Sequence, residues 1–187
     1  MIERHPFPPF LPPNARVLFL GSFPPPAGRW SIDFFYPNFI NDFWRICGLI
    51  FQGDKSAFIL PGTKRFDKGS IIDFCTREGI ALFDTATAVQ RLKGNASDKF
   101  LEIVEPTDVD ALLEQIPSCS SIVATGQKAT DTLTERYGCP APPVGSYVGI
   151  TAARRPVRFW RMPSTSRAYP LPLEDKAEFY RKLFEAL

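Results

Sequence analysis

The sequence is almost without histidine. His5 is the only one among 187 residues, and it lies in the proline-rich segment HPFPPFLPPN. A Ser-His-Asp triad needs a histidine beside its nucleophile, and histidine metal sites need several. A single histidine in such a segment disfavours both kinds of site.

Cysteine is scarce as well, and the four cysteines form no CxxC pair. The spacings of zinc fingers, ferredoxin-type clusters and the PCxxC element of zinc deaminases are therefore missing. Cys47 and Cys75 fall in apolar patterns of helical period, which predicts small core residues. We expect no iron–sulfur cluster, no metal site and no cofactor.

Long apolar runs are missing too, and no stretch has the length of a membrane span. We find no secretory signal, so we expect a reduced, cytoplasmic setting without a membrane partner. The phosphate-binding patterns GxGxxG and GxxxxGK[ST] do not occur either. The glycine-rich fingerprints of nucleotide-binding proteins thus give no support for that class.

Phenylalanine and proline are abundant instead, with 17 and 19 residues. Hydrophobic residues make up 44% and charged residues 22%, as in ordinary globular proteins, so the prolines indicate rigid, ordered loops. The length predicts one domain over residues 1–187, with a proline-rich arm of residues 1–15 packed on it. A net charge of +2 neither establishes nor opposes binding to nucleic acid.

Short apolar runs alternate with helical patterns along the chain. The predicted strands cover residues 16–20, 80–83, 121–125 and 155–160; the predicted helices lie at 39–51, at 69–77, after a Thr107/Asp110 capping pair, after Gly126, and at 173–187. This alternation favours a parallel sheet covered by helices on both faces. Ligands of such sheets bind beyond the carboxyl ends of the strands, where we expect loops at 21–41, 84–98 and 162–169.

The first of these loops begins GSFPPP. Its three consecutive prolines lack backbone donors, so they form a rigid wall rather than an anion-binding nest. The aromatic side chains of the loop either fill the core or offer faces on which a flat ring can stack: Phe23, Trp30, Phe34, Phe35 and Tyr36. Both interpretations stay open at this point.

Asn41 lies at the start of the predicted 39–51 helix. Asn is a preferred N-cap residue, which gives it a structural explanation. The alternative is an amide that is held rigidly to orient a water molecule or to stabilise a developing negative charge.

The segment PSTSR, residues 163–167, follows a strand region that carries Arg154, Arg155, Arg158 and Arg161. Hydroxyl groups and backbone amides beside arginines suit contacts to phosphate, and either Arg158 or Arg161 would join them. An ordinary turn after a solvated edge strand explains the segment equally well.

Three motifs in the order LGSFP, NDFW and PSTS resemble those of the uracil-DNA glycosylase superfamily. The branch that they most resemble is its deoxyinosine (hypoxanthine) glycosylase-like group, and the resemblance extends from Arg16 to the last helix. The sequence departs from that pattern at Pro25, where glycine is usual, and at Met162, where many relatives have histidine.

The resemblance implies a three-layer α/β/α fold around a central sheet of four parallel strands. It implies a monofunctional, monomeric DNA glycosylase of base excision repair, which hydrolyses the N-glycosidic bond of a flipped-out uracil or hypoxanthine. Asn41 would be catalytic, and the DNA would be held by Ser164, Thr165, Ser166 and Arg167. The base pocket would be formed by Gly21, Ser22, Phe23, Pro24, Phe35 and Tyr36.

Two functions of other classes remain open. One is a catalytically silent relative that only binds nucleic acid. The other is an α/β enzyme that acts on a free nucleoside or nucleotide.

Overall fold

The computed structural model describes residues 1–94 and 97–187 of the chain. In these ranges the chain forms eight strands, in two sheets, and five α-helices. The strands are β1 (Ile2–Arg4), β2 (Val17–Gly21), β3 (Ile80–Asp84), β4 (Ala86–Arg91), β5 (Leu101–Pro106), β6 (Ser121–Thr125), β7 (Ser146–Ala152) and β8 (Arg155–Met162). The helices are α1 (Phe43–Gln52), α2 (Lys68–Glu78), α3 (Val109–Gln115), α4 (Gln127–Tyr137) and α5 (Leu173–Glu185).

The larger sheet has five strands in the order β3-β2-β6-β8-β7. The first four run parallel, and β7 pairs antiparallel with β8 at the edge. The prediction of four parallel strands is therefore wrong in the number of strands and in their uniform direction. The turn between β7 and β8 holds Ala153 and Arg154 at φ of 49° and 60°, as the tight two-residue turn of a hairpin requires.

The core surrounds the parallel strands. Every residue of β2, β3 and β6 is buried, as expected where helices and loops cover both faces of a parallel sheet. The Phe19 ring of β2 contacts Phe43 of α1 and Tyr180 of α5, with ring centroids 5.2 and 6.3 Å away. Helices α1 and α5 thus pack together on one face of the sheet.

A smaller antiparallel sheet in the order β1-β4-β5 includes part of a predicted loop. The expected loop at 84–98 is wrong for residues 86–91, which form β4; residues 95 and 96 lie outside the described part of the chain. Near the N-terminus, β1 pairs with β4, and the His5 N–H donates to the Thr87 carbonyl at 2.9 Å. Backbone hydrogen bonds thereby hold this part of the chain against the domain.

Two helix starts differ from those predicted. Helix α1 begins at Phe43 rather than at residue 39, because residues 39 and 40 form a turn and Asp42 is the residue that precedes the first helical position. The cap of α3 is Asp108, whose carboxylate accepts from the Ala111 N–H, while the Thr107 hydroxyl donates to the Asp84 carbonyl. The predicted Thr107/Asp110 capping pair is therefore wrong by one residue.

Candidate functional site

The four parallel strands end along one edge of the larger sheet. Their last residues are Asp84, Gly21, Thr125 and Met162, and the register places Gly21 beside Asp84 and Thr125 beside Met162. All four residues line one cleft with a volume of about 790 Å³. This is the position at which parallel α/β sheets bind their ligands.

Three separate parts of the sequence converge on this cleft. Its lining includes every residue that the resemblance assigns to the site: Gly21, Ser22, Phe23, Pro24, Phe35, Tyr36, Asn41, Ser164, Thr165, Ser166 and Arg167. Trp30 and Phe34 do not line it: the Trp30 indole donates to the Pro25 carbonyl, and Phe34 is buried against Phe10 and Phe35. Phe34 is therefore a core residue, whereas Trp30 is half-buried against Phe7 and belongs to neither the core nor the cleft lining.

Gly21 allows a close approach at the floor of the cleft. A Cβ at this position would lie 2.6 Å from Asp84 Oδ1 and 3.7 Å from the Tyr36 hydroxyl. The Tyr36 hydroxyl also lies 3.0 Å from Thr125 Oγ1. The Tyr36 ring stacks on the Phe43 ring, with 4.0 Å between the centroids. Burial raises the pKa of Tyr36 far above its usual value, so the floor presents a neutral phenol.

The proline segment forms one wall, and hydrogen bonds to its carbonyl groups hold it. Arg91 donates to the Pro24 carbonyl at 2.6 Å, and the Trp30 indole donates to the Pro25 carbonyl at 2.7 Å. Behind this wall the rings of Phe23 and Phe35 are only 9% and 3% exposed. The wall is therefore supported by both packing and hydrogen bonds, and little of either ring is exposed.

Asn41 is fixed in place by three hydrogen bonds. Its N–H donates to the Asn38 carbonyl at 2.8 Å, and its own carbonyl accepts from Arg45 at 3.0 Å. Its side-chain Oδ1 accepts from the Phe43 N–H at 2.9 Å. Asn41 thus lies just outside α1, with its amide oriented by the first helical residue, and a second lone pair remains on Oδ1.

A buried ion-pair network joins the PSTS loop to the start of α1. Lys176 is 1% exposed, and its ammonium donates to Asp42 Oδ2 at 3.2 Å and to the Ser166 carbonyl at 2.9 Å. The Asp42 N–H donates to the Thr165 carbonyl at 2.9 Å, and Arg167 lies 3.4 Å from Asp42 Oδ1. The network therefore fixes the loop against the residue that follows Asn41.

The edge of the cleft contains several cationic side chains. Arg167 is half exposed, and Arg29, Lys99, Lys128 and Arg161 also line the cleft. Arg158, which the sequence offered as an alternative to Arg161, instead donates to the Ala186 carbonyl and does not line the cleft.

Sequence reasoning missed two carboxylates of the cleft. Asp84 accepts from His5 at 2.7 Å across 79 residues of sequence, and both side chains are nine-tenths or more buried. Asp98 accepts from the Ser22 hydroxyl at 2.7 Å, and burial raises the pKa of Asp98. Neither pair has a local sequence signal, since each joins residues that only the fold brings together.

The part of the chain that the structure describes offers no ready metal site. In residues 1–94 and 97–187, no cluster of three or more His, Cys, Asp or Glu side chains is arranged to hold a metal ion. No helix in these ranges combines the length and apolar character of a membrane span.

The fold has a counterpart among solved structures. The solution NMR structure of a candidate uracil DNA glycosylase from Methanosarcina acetivorans superposes with a TM-score of 0.65. The two sequences are 24% identical over 99% of each chain. No protein-family model matches this chain, and no curated protein matches it. The likeness shows a shared fold.

Proposed function

We propose that this protein is a DNA glycosylase that hydrolyses the N-glycosidic bond of a deaminated base, uracil or hypoxanthine, in DNA. The observation that supports this most strongly is the setting of Asn41. A rigidly held amide lies in a cleft at the ends of four parallel strands, beside a loop of hydroxyl groups and Arg167. The likeness in fold to a candidate uracil DNA glycosylase agrees with this proposal.

The cleft has the parts that such a reaction needs. Glycosidic cleavage gives the sugar cationic character and leaves negative charge on the departing base. Oriented dipoles, a positioned water and a desolvated pocket stabilise that distribution without a covalent intermediate. In this scheme the free lone pair of Asn41 Oδ1 orients the attacking water beside the sugar.

The extruded nucleotide enters between the proline wall and the polar floor. Flipping a base costs a few kcal/mol, which contacts in the pocket must offset. Here Gly21, Ser22 and Pro24 lie along the base, and Phe23, Phe35 and Tyr36 enclose it. Ser164, Thr165, Ser166 and Arg167 contact the phosphates on either side, with Arg161 nearby.

Duplexes with a single uracil or hypoxanthine test this proposal. A monofunctional glycosylase leaves an abasic site, so strand scission should follow alkali treatment and should be absent without it. Binding without scission would identify the silent nucleic-acid-binding alternative. Turnover of free nucleosides with no affinity for DNA would identify the small-molecule enzyme.

A further inference from the structure

The hydrogen bonds of His5 assign different roles to its two ring nitrogens. Its Nδ1 accepts a hydrogen bond from the Phe7 N–H at 3.1 Å, so that nitrogen has a lone pair rather than a proton. The single ring proton therefore lies on Nε2 and is donated to Asp84 Oδ2 at 2.7 Å. In this arrangement the imidazole Nε2–H donates to the Asp84 carboxyl group.

The pair lies in an apolar cage at the floor of the cleft. Rings of Phe7, Phe23, Phe35 and Phe83 surround His5 with centroids 4.4 to 5.9 Å away. The second Asp84 oxygen, Oδ1, faces Gly21 beside the Tyr36 hydroxyl. His5 is therefore the donor that holds the Asp84 carboxylate in position while its other oxygen faces the cleft.

We propose that His5 is a positioning residue that holds the Asp84 carboxylate with Oδ1 turned toward the cleft as an acceptor, and that this carboxylate selects deaminated bases over their parents. Resting on the proposed function, this inference names what reads the base. Deamination converts the acceptor N3 of cytosine into the N3–H donor of uracil, and the acceptor N1 of adenine into the N1–H donor of hypoxanthine. A fixed carboxylate can accept from either product, but it meets a lone pair on either parent.

The energetics favour a strong effect. Binding free energy is lost when a buried polar group is left unpaired or faces another acceptor, and this loss is much larger than that of a missing apolar contact. Sites that bind a ligand through such groups therefore discriminate strongly against ligands that lack the matching donor. Gly21 has no side chain to separate the base from Asp84 Oδ1. The arm thus contributes to the site through His5, although His5 itself does not line the cleft.

Variants of His5 test the inference through base discrimination, with free bases as the probes. His5→Phe keeps an aromatic ring in the cage but removes the donor, whereas the amide of His5→Gln can still donate. The preference for free hypoxanthine over adenine, measured from binding constants, should fall about tenfold or more in His5→Phe and largely recover in His5→Gln. Phe7→Leu loosens the same cage without touching Asp84, so it should lower the melting temperature and leave the preference intact.

A second measurement does not depend on the folding of any variant. His5 is the only histidine in the chain, so the ¹⁵N spectrum of the labelled wild-type protein has a single imidazole. It should show a proton on Nε2 and none on Nδ1, and the Nε2 signal should shift on addition of hypoxanthine and not of adenine. A protonated Nδ1, an unchanged preference in folded His5→Phe, or a wild-type protein that binds no free base would overturn the inference.

The proposed function can fail separately. A wild-type protein that prefers hypoxanthine to adenine through His5 but never produces an abasic site would refute the glycosylase activity alone. One that cleaves DNA with an unchanged preference in His5→Phe would refute the role of His5 alone.

Discussion

At the scale of single residues, close neighbours restrict which side chain or which charge several positions of the cleft can accommodate. Gly21 is one, because Asp84 Oδ1 would lie 2.6 Å from any Cβ at that position. Asp98 is another, since burial raises its pKa and the Ser22 hydroxyl only partly offsets that effect. Each leads to a prediction about one substitution.

Gly21→Ala should displace the Asp84 carboxylate from its place beside His5. We expect overpacking to lower the free energy of unfolding by about 1–3 kcal/mol. The free energy of binding a free base should be reduced by more than this loss of stability. Gly149→Ala is the matched control, because a Cβ added to this strand glycine would meet none of the described residues within 4 Å. Chemical denaturation and free-base binding measure both effects; equal base binding in the two variants would contradict the prediction.

Asp98→Asn should stabilise the protein in a pH-dependent way. A carboxyl whose pKa is raised on folding favours the folded state at low pH, and this contribution is lost as the pH rises through the folded value. The melting temperature of Asp98→Asn should therefore exceed that of the wild type at pH 7, and the difference should shrink as the pH falls below about 4. Asp73→Asn, at an exposed position, corrects for the loss of one negative charge; a gain independent of pH would refute the burial argument.

At the scale of elements, the sequence predicted the four parallel strands and the last helix within about two residues. Apolar runs mark β2, β3 and β6 directly, and a helical period marks α5. Strand β8 was found although arginines interrupt its apolar residues. Strand β7 was missed because its residues alternate between half-buried and exposed, so it has no apolar run. The β4–β5 hairpin was missed because ATAVQR and LEIVEP mix small, polar and charged residues.

The loops of the site were predicted for a related reason. Once the parallel strands are placed, topology requires that their carboxyl ends lie at one edge, so the loops at 21–41 and 162–169 had to meet. The contacts of His5 with Asp84 and of Ser22 with Asp98 could not be found in this way, because each depends on how the smaller sheet packs beside the larger one.

The PSTS loop gives a prediction at this scale. Arg167→Ala should leave the loop in place, because Lys176 still pairs with Asp42 and donates to the Ser166 carbonyl. We expect weaker binding to all DNA sequences alike and a salt dependence reduced by about one counterion. Arg4→Ala is the control, since it also removes one arginine that is paired with a carboxylate, that of Glu105, but Arg4 does not line the cleft. Equal affinities and salt slopes for the two variants would show that the loop is not a phosphate contact.

At the scale of the whole molecule, distant parts of the chain meet around Asn41. The first parallel strand brings the proline wall, the last one brings the PSTS loop, and the N-terminal segment places His5 behind the floor. Arg91 joins two of these parts, because it donates both to Glu3 of β1 and to the Pro24 carbonyl. The proposed function explains why the loop between β2 and α1 is rich in prolines and aromatic residues: a rigid cleft can hold a flipped base in a fixed position.

The single-turnover cleavage rate of Asn41 variants tests this account most directly. Asn41→Ala removes both the oriented amide and the hydrogen bond to the Phe43 N–H, whereas the Asn41→Ser hydroxyl can still accept from that N–H. Asp54→Ala, which loses the same kind of bond to the Ser56 N–H away from the cleft, corrects for the structural cost. Per folded molecule, we expect both Asn41 variants to cleave hypoxanthine- or uracil-containing duplexes about 100-fold more slowly or worse, with Asn41→Ser as stable as the wild type. A stable Asn41→Ser protein that cleaves at the wild-type rate would contradict the account.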